Sequence, residues 1–267
     1  MLNSKIAVGS ALMGAFALGA LAIGYSNAQS TKPSETKTFS ADDEAAIRDI
    51  VEDYIAENPG FIIETLNRYA ESERDNALVE LKSKTKDYLP DLLSPEGAYV
   101  AGAADNKAEV AVVEFFDYHC GYCKKASGLM QELANEDPTV KVIFREFPIL
   151  RQESELASRY ALAARDQNKY QEFHFALLGS GGVLTEKRIK DIAGKTGLDV
   201  AKLEAKVSSD ESILESIINN QGVARDLQLD GTPSFIITSL NGDFLEVIPG
   251  FAPDAVREAV KEAKRAN

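Results

Sequence analysis

An α/β fold carrying a helical insertion, preceded by an N-terminal α-helical arm, is what this 267-residue sequence predicts, and three observations predict it. The run VAVVEFF, residues 110–116, is almost continuously apolar and β-rich, as a strand covered on both faces should be; a helical pattern and a second strand, residues 140–144, follow it. An Asn241-Gly242 pair separates two more strand-like runs, residues 234–238 and 244–248, which is a strong hairpin signal because a type I′ turn wants positive φ at both central residues. Between these two pairs of strands lies a long helical stretch, about residues 153–227.

Taken in order, residues 1–28 read as a signal peptide: Lys5 gives the basic start, residues 6–23 the apolar run, and Ser26-Asn27-Ala28 a small-residue cleavage site. That run approaches the ~20 residues that span a bilayer, so an uncleaved inner-membrane anchor is the alternative. In both cases the remainder is expected outside the cytoplasm. Residues 29–39 are a polar linker, and residues 40–95 form the helical arm. Ser40 and Asp43 make a capping box, and Ile47, Ile50, Val51, Tyr54 and Ile55 then recur at helical spacing. Asn58-Pro59-Gly60 ends that helix. A second helical run carries Phe61, Ile62, Leu66 and Tyr69 and, beyond the polar residues 71–76, Leu78, Leu81, Tyr88 and Leu92. Two such helices cannot fully bury their stripes on each other, so they call for another surface, either the following domain or a second copy of the chain.

Ser94-Pro95-Glu96-Gly97 breaks the helix and opens residues 96–267. A strand, a helix beginning at Cys120, a strand, a hairpin and a last helix near Pro253 give a thioredoxin-like order, with residues 153–227 as its helical insertion, interrupted at residues 179–182 and at Gly197. The formal charge of -13 becomes one more negative once Lys5 leaves with the signal, a surface that repels nucleic acid and anionic membranes.

The chain holds two cysteines, Cys120 and Cys123, in DYHCGYCKK. In an oxidising compartment they are a disulfide candidate. So short a loop makes a poor staple and a strained, readily exchanged bond. Cys120, at a helix N-terminus, has the unpaired N–H groups and macrodipole that favour a thiolate, which makes it the attacking sulfur; Cys123, one turn deeper, is the resolving one. Lys124 and Lys125 either add positive charge or are solvated surface. A zinc set of His119, Cys120, Cys123 and His174 competes but lacks the usual ligand spacing, so no metal and no cofactor is expected. His119 is placed to tune the adjacent thiol or touch a substrate, and His174 reads as a helix residue without chemistry. Glu114 shares a strand face with Val112 and Phe116, so burial near Cys123 would raise its pKa and let it relay a proton; a strand end near solvent is the bland alternative. Pro233 opens the strand after Thr232 and is permitted there in either isomer.

FFDYHCGYCK, the Glu six residues before the first cysteine, the helical insertion and GTPSFII together resemble the DsbA-like thiol-disulfide oxidoreductases of the bacterial periplasm, over about residues 96–266. FSADDEAAIRDIVEDYIAENPGFIIETL is similar to the N-terminal segment of the ScsC-type branch, which is linked to copper tolerance and whose members can oligomerise through that segment and isomerise disulfides. The resemblance implies that Cys120 is the nucleophile, Cys123 the resolving cysteine, Glu114 the buried acid and Pro233 a cis-proline facing the cysteines. Thr232 would offer backbone groups to an extended substrate. Gly121-Tyr122 departs from the Pro-His dipeptide of the strong oxidases and resembles that of the periplasmic isomerases, as does a Thr before the cis-proline. The implied activity is an isomerase or reductase acting on misfolded exported proteins with cysteines, served by a membrane thiol-redox partner, and working as a homo-oligomer. A DsbA-type dithiol oxidase and a Cu(I)-binding module are the alternatives.

Overall fold

The computed structural model describes residues 39–267; the signal peptide and all but the last residue of the linker read in the sequence lie outside them. The chain divides after Ile62. The first unit, where described, is α1 (Ala41–Glu57) and the opening of α2 (Pro59–Leu93). The Ser40 side chain accepts from the Asp43 N–H and Asp43 answers the Ser40 N–H, so the capping box forms as predicted. No residue of α1 is buried: Ile47, Ile50, Val51, Tyr54 and Ile55 are exposed, Ile50 at 67%. Tyr54 meets Phe61 edge-on at 6.0 Å.

The second unit runs from Ile63 to the end. Residues 71–76 do not interrupt α2, since they contain neither Gly nor Pro. Its last turns, with Leu81, Tyr88 and Leu92, pack on one face of the sheet, while Ile63, Leu66, Tyr69 and Val79 stay exposed. β1 (Tyr99–Gly102), β2 (Val110–Phe116), α3 (Gly121–Glu136) and β3 (Val140–Glu146) follow. The helical insertion is α4 (Gln152–Ala163), a 3-10 turn (Ala164–Gln167), α5 (Tyr170–Gly179), α6 (Glu186–Lys195), α7 (Val200–Ser209) and α8 (Glu211–Asp226). β4 (Ser234–Ser239), β5 (Leu245–Pro249) and α9 (Pro253–Arg265) close the chain. This is the predicted thioredoxin-like order.

The sheet order is β1-β3-β2-β4-β5, with β2 and β3 parallel and the other neighbours antiparallel. Strand alternation splits the core. Ala111, Val113, Phe115, Ile143 and Ile236 meet Leu92 of α2 and Ala224 of α8 on one face. Val112, Phe116, Phe144 and Phe235 meet α3, α9 and most of the insertion on the other, which is the face that holds both cysteines.

The hairpin is real, but its turn is not the predicted type I′. Asn241 does not take positive φ; Gly242 does, at 87°. The Gly242 N–H bonds back to the Ser239 carbonyl, and the Asn241 side chain accepts from the Asp243 N–H. Leu240 and Asn241 are therefore the central turn residues, with Gly242 taking the left-handed position after them.

Candidate active site

The central strand delivers the site. β2 ends at Phe116, and four residues later Cys120 is the N-cap of α3, with extended backbone (φ -72°, ψ 117°) and its Sγ accepting from the Cys123 N–H at 3.4 Å. As a thiol, Cys120 donates to the Thr232 carbonyl at 3.1 Å; Thr232-Pro233 is cis, so this peptide faces the cysteine from the start of β4. Cys120 is lowered from an ordinary 9.0 to about 5, chiefly because the Cys123 thiol donates to its thiolate, with burial opposing and the Thr232 side chain and the N–H groups of Cys123 and Tyr122 adding to the lowering. Cys123 is pushed far the other way by burial, by its bond to Cys120 and by the charge of Glu114. Both cysteines are free thiols. The pair therefore consists of an ionised outer sulfur and a protonated inner one.

Glu114 is 1% exposed, on the cysteine face of β2, and neither carboxyl oxygen has a hydrogen-bond partner. Burial, then the charges of Cys120 and Glu146, raise it to about 8. This excludes the strand end near solvent.

Asp117, which sequence reasoning missed, organises the approach to Cys120. Its buried carboxylate accepts from the His119, Ile149 and Leu150 N–H groups and from the Ser154 hydroxyl, at 2.6 to 3.0 Å. Since Ser154 donates to Asp117, it accepts from His119 Nδ1 at 2.8 Å, and Nε2 then accepts from the Leu184 N–H at 3.0 Å. Both ring nitrogens of His119 are thus engaged in tying the cysteine loop to α4 and to the loop before α6, and the ring is neutral, in line with burial lowering its pKa. A carboxylate directly between a strand end and a CxxC was the available sequence signal.

Around the sulfurs, Tyr122 is exposed, stacks on Phe251 at 6.1 Å and carries Lys125 over its ring. Lys124 donates to the Ser180 carbonyl. Gly121 is open, with nothing within 4 Å of where a Cβ would lie. Among the described residues no three His, Cys, Asp or Glu side chains group as metal ligands; His174 lies on α5, bonded to Tyr118. A cavity of about 540 Å³ lies elsewhere, lined by Asp91, Arg145 and Asn220, and includes neither cysteine.

The model of the DsbA-like thioredoxin domain matches residues 111–261. The chain belongs to that family. Among solved structures it is similar to the thiol-disulfide exchange protein alpha-DsbA2 of Wolbachia pipientis, with 34% identity, TM-score 0.59, and 71% of this chain and 97% of that one covered. It is also similar to BcfH of Salmonella enterica Typhimurium, with 28% identity, TM-score 0.70 and coverage of 83% and 96%. The catalytic domain of Proteus mirabilis ScsC is 25% identical, with TM-score 0.60 and coverage of 69% and 98%. A curated relative, the Na(+)/H(+) antiporter NhaA 1 of Salinispora arenicola, is 26% identical over 148 residues, 54% of this chain and 22% of that protein; the chain spans about a fifth of it. The DsbA-like fold with its CxxC implies thiol-disulfide oxidoreductase activity. Among the described residues no helix is long and apolar enough to cross a membrane.

Proposed function

We propose that this protein is an exported thiol-disulfide interchange enzyme of the ScsC-type branch that works in the periplasm from its reduced state, as a disulfide isomerase or reductase. The observation that carries the reading is the contrast between the two sulfurs: Cys120 lowered to about 5 and Cys123 buried and raised. The Cys120 thiolate attacks one sulfur of a misplaced disulfide. A Cys120–S bond forms, the substrate S–S bond breaks, and the other substrate sulfur leaves as a thiolate. If a different substrate thiolate then attacks the sulfur bound to Cys120, a new substrate disulfide forms, Cys120 leaves as a thiolate and the substrate is isomerised; return of the first thiolate only restores the original bond. If Cys123 displaces the substrate instead, the substrate is reduced by two electrons and the enzyme is left with a Cys120–Cys123 disulfide, which a membrane thiol-redox partner must reduce.

Exposed Ile47, Ile50, Val51, Tyr54 and Ile55 on α1, a helix that buries nothing in the single chain, support self-association through the arm, which would place several thiolates around one misfolded client. Reactivation of scrambled ribonuclease by the mature chain, beside the double variant Ile50→Asp/Tyr54→Asp, tests this. Activity lost in the variant together with its oligomeric state is expected. Full activity in a monomeric variant would remove the arm from the mechanism, and no activity in either would remove the isomerase reading.

A further inference from the structure

Besides Glu114 and Asp117 the site has a third buried carboxyl, which the exchange reaction as written does not use. Glu146 is the last residue of β3 and is buried completely. Its Oε1 accepts from the Tyr170 hydroxyl at 2.7 Å and from the Tyr118 hydroxyl at 3.1 Å. With that proton spent on Glu146, the Tyr118 oxygen accepts from His174 Nδ1 at 3.0 Å. The chain of bonds His174–Tyr118–Glu146–Tyr170 therefore includes Tyr118, two residues before Cys120, and is buried throughout.

Register brings this carboxyl towards Glu114. Glu114 pairs with Phe144, and Phe116 with Glu146, across parallel β2 and β3, so both acids point to the cysteine face. One strand spacing sideways and two residues along put their backbones about 8 Å apart. The hydrogen bonds differ sharply: Glu146 accepts two hydroxyl donors, whereas Glu114 accepts none. Burial raises both carboxyls, each to about 8; donors to a carboxylate favour its ionised form, and of the two only Glu146 has them, so Glu146 is the member that gives up its proton first.

We propose that Glu146 is a positioning residue for disulfide exchange: its carboxylate, held by Tyr118 and Tyr170, keeps the proton on Glu114 and so sets the basicity with which Glu114 deprotonates Cys123. The inference rests on the exchange reading above. In the step concerned, Cys123 gives its thiol proton to the Glu114 carboxylate and attacks Cys120. The Cys120–Cys123 bond forms as the Cys120–substrate bond breaks, and the substrate leaves as a thiolate. While Cys120 is itself a thiolate, its charge and that of Glu146 both hold Glu114 protonated. Once Cys120 is in a mixed disulfide its charge is gone and Glu114 ionises more readily, while burial, with the charge of Glu146 added to it, keeps it a base of near-neutral strength. Facing Glu146 are Glu114, Asp117, Tyr118, Tyr170 and His174, with the Ser158 hydroxyl; facing Glu114 are Cys120, Cys123 and Glu146. No cation is among them.

The probe is the mixed disulfide of Cys120 with glutathione, and the readout is the rate at which Cys123 expels glutathione as a function of pH, in the full mature chain. Charges separated by about the 8 Å that separates the two backbones, at an effective dielectric of about 20, shift each other's titration by about 1.5 pH units. Glu146→Gln is expected to move the midpoint of this profile to lower pH by about that much, and Tyr170→Phe, which leaves Glu146 protonated over a wider range, to move it the same way by less. Titration of the labelled glutamate carboxyls by NMR in the unmodified protein, with glutathione on Cys120, is expected to show Glu146 ionising before Glu114. Unmoved midpoints in both variants while Glu114→Gln removes the pH dependence would overturn the role of Glu146 and leave the exchange reading standing, and so would the reverse order of ionisation. A wild-type mixed disulfide that Cys123 does not resolve at any pH would overturn both.

Discussion

The thiolate of Cys120 owes its stability first to a donor that is itself the resolving cysteine, and removing that donor should undo much of it. The variant is Cys123→Ala, with Cys123→Ser as its partner, because a serine hydroxyl can still donate. A hydrogen bond to a charged group contributes about 1.5–3 kcal/mol, and one pKa unit is ~1.4 kcal/mol; a thiol donor belongs at the weak end. Cys123→Ala should therefore raise Cys120 from about 5 by about one unit, and Cys123→Ser should hold it near its wild-type value. The assay is the rate of alkylation by iodoacetamide between pH 3 and 9, with loss of thiolate absorbance as a second probe; only Cys120 reacts, since it alone ionises in this range while the Cys123 thiol is raised far above its ordinary value. In the wild type the rate should be flat above neutral pH and fall through a midpoint near 5. A wild-type midpoint near the ordinary 9.0, or an alanine variant no different from the serine one, would refute the assignment of the low pKa to this bond.

Other consequences can be measured separately. Folding of the reduced protein should depend on pH through Cys120: a group depressed in the folded state stabilises it fully above its unfolded pKa near 9, and that contribution is lost as pH falls through the folded value of about 5. Denaturant titrations should show the dependence and Cys120→Ala should abolish it; equal pH profiles would contradict it. Asp117→Ala leaves the Ile149 and Leu150 N–H groups and the Ser154 hydroxyl without their acceptor, for a loss of about 3 kcal/mol and raised hydrogen exchange at Leu184; Asp117→Asn should lose less, and unchanged stability in both would deny its organising role. Arg145, buried on β3, donates to the carbonyls of Asp91, Leu92, Ser94 and Glu96 and to Asn220. Arg145→Met should cost about 3 kcal/mol or more by orphaning carbonyls at the end of α2; an unfolding midpoint within error of wild type would show that water replaces it.

Much of this was legible because local chemistry and tertiary context agreed. VAVVEFF became β2 with every residue buried, as a strand covered on both sides must, and the same apolarity made Glu114 conspicuous. Ser40 and Asp43 marked the start of α1 because a capping box is closed within four residues. β1 was not legible: YVAG is four residues long and holds its place by pairing with β3, which no local pattern encodes. The hairpin turn went astray at Asn241, whose side chain prefers to accept from Asp243 over taking the left-handed backbone that a type I′ turn requires. Glu146 and His174 were silent, and the role of Asp117 was hidden behind its position beside the CxxC, for a common reason. Each matters through partners far along the chain, Asp117 through Ser154, Glu146 through Tyr118 and Tyr170, and His174 through Tyr118, and such pairings exist only once the insertion has folded over the sheet.

The central claim is that Cys120 attacks and Cys123 resolves. The most direct test is to incubate reduced Cys123→Ser and Cys120→Ser chains with a disulfide-bonded protein substrate, quench in acid and map the adducts by mass spectrometry. A mixed disulfide accumulating on Cys120 in the Cys123→Ser chain, with no adduct and no exchange in the Cys120→Ser chain, is the predicted result. Adducts of equal yield on either cysteine, or none on Cys120, would contradict it.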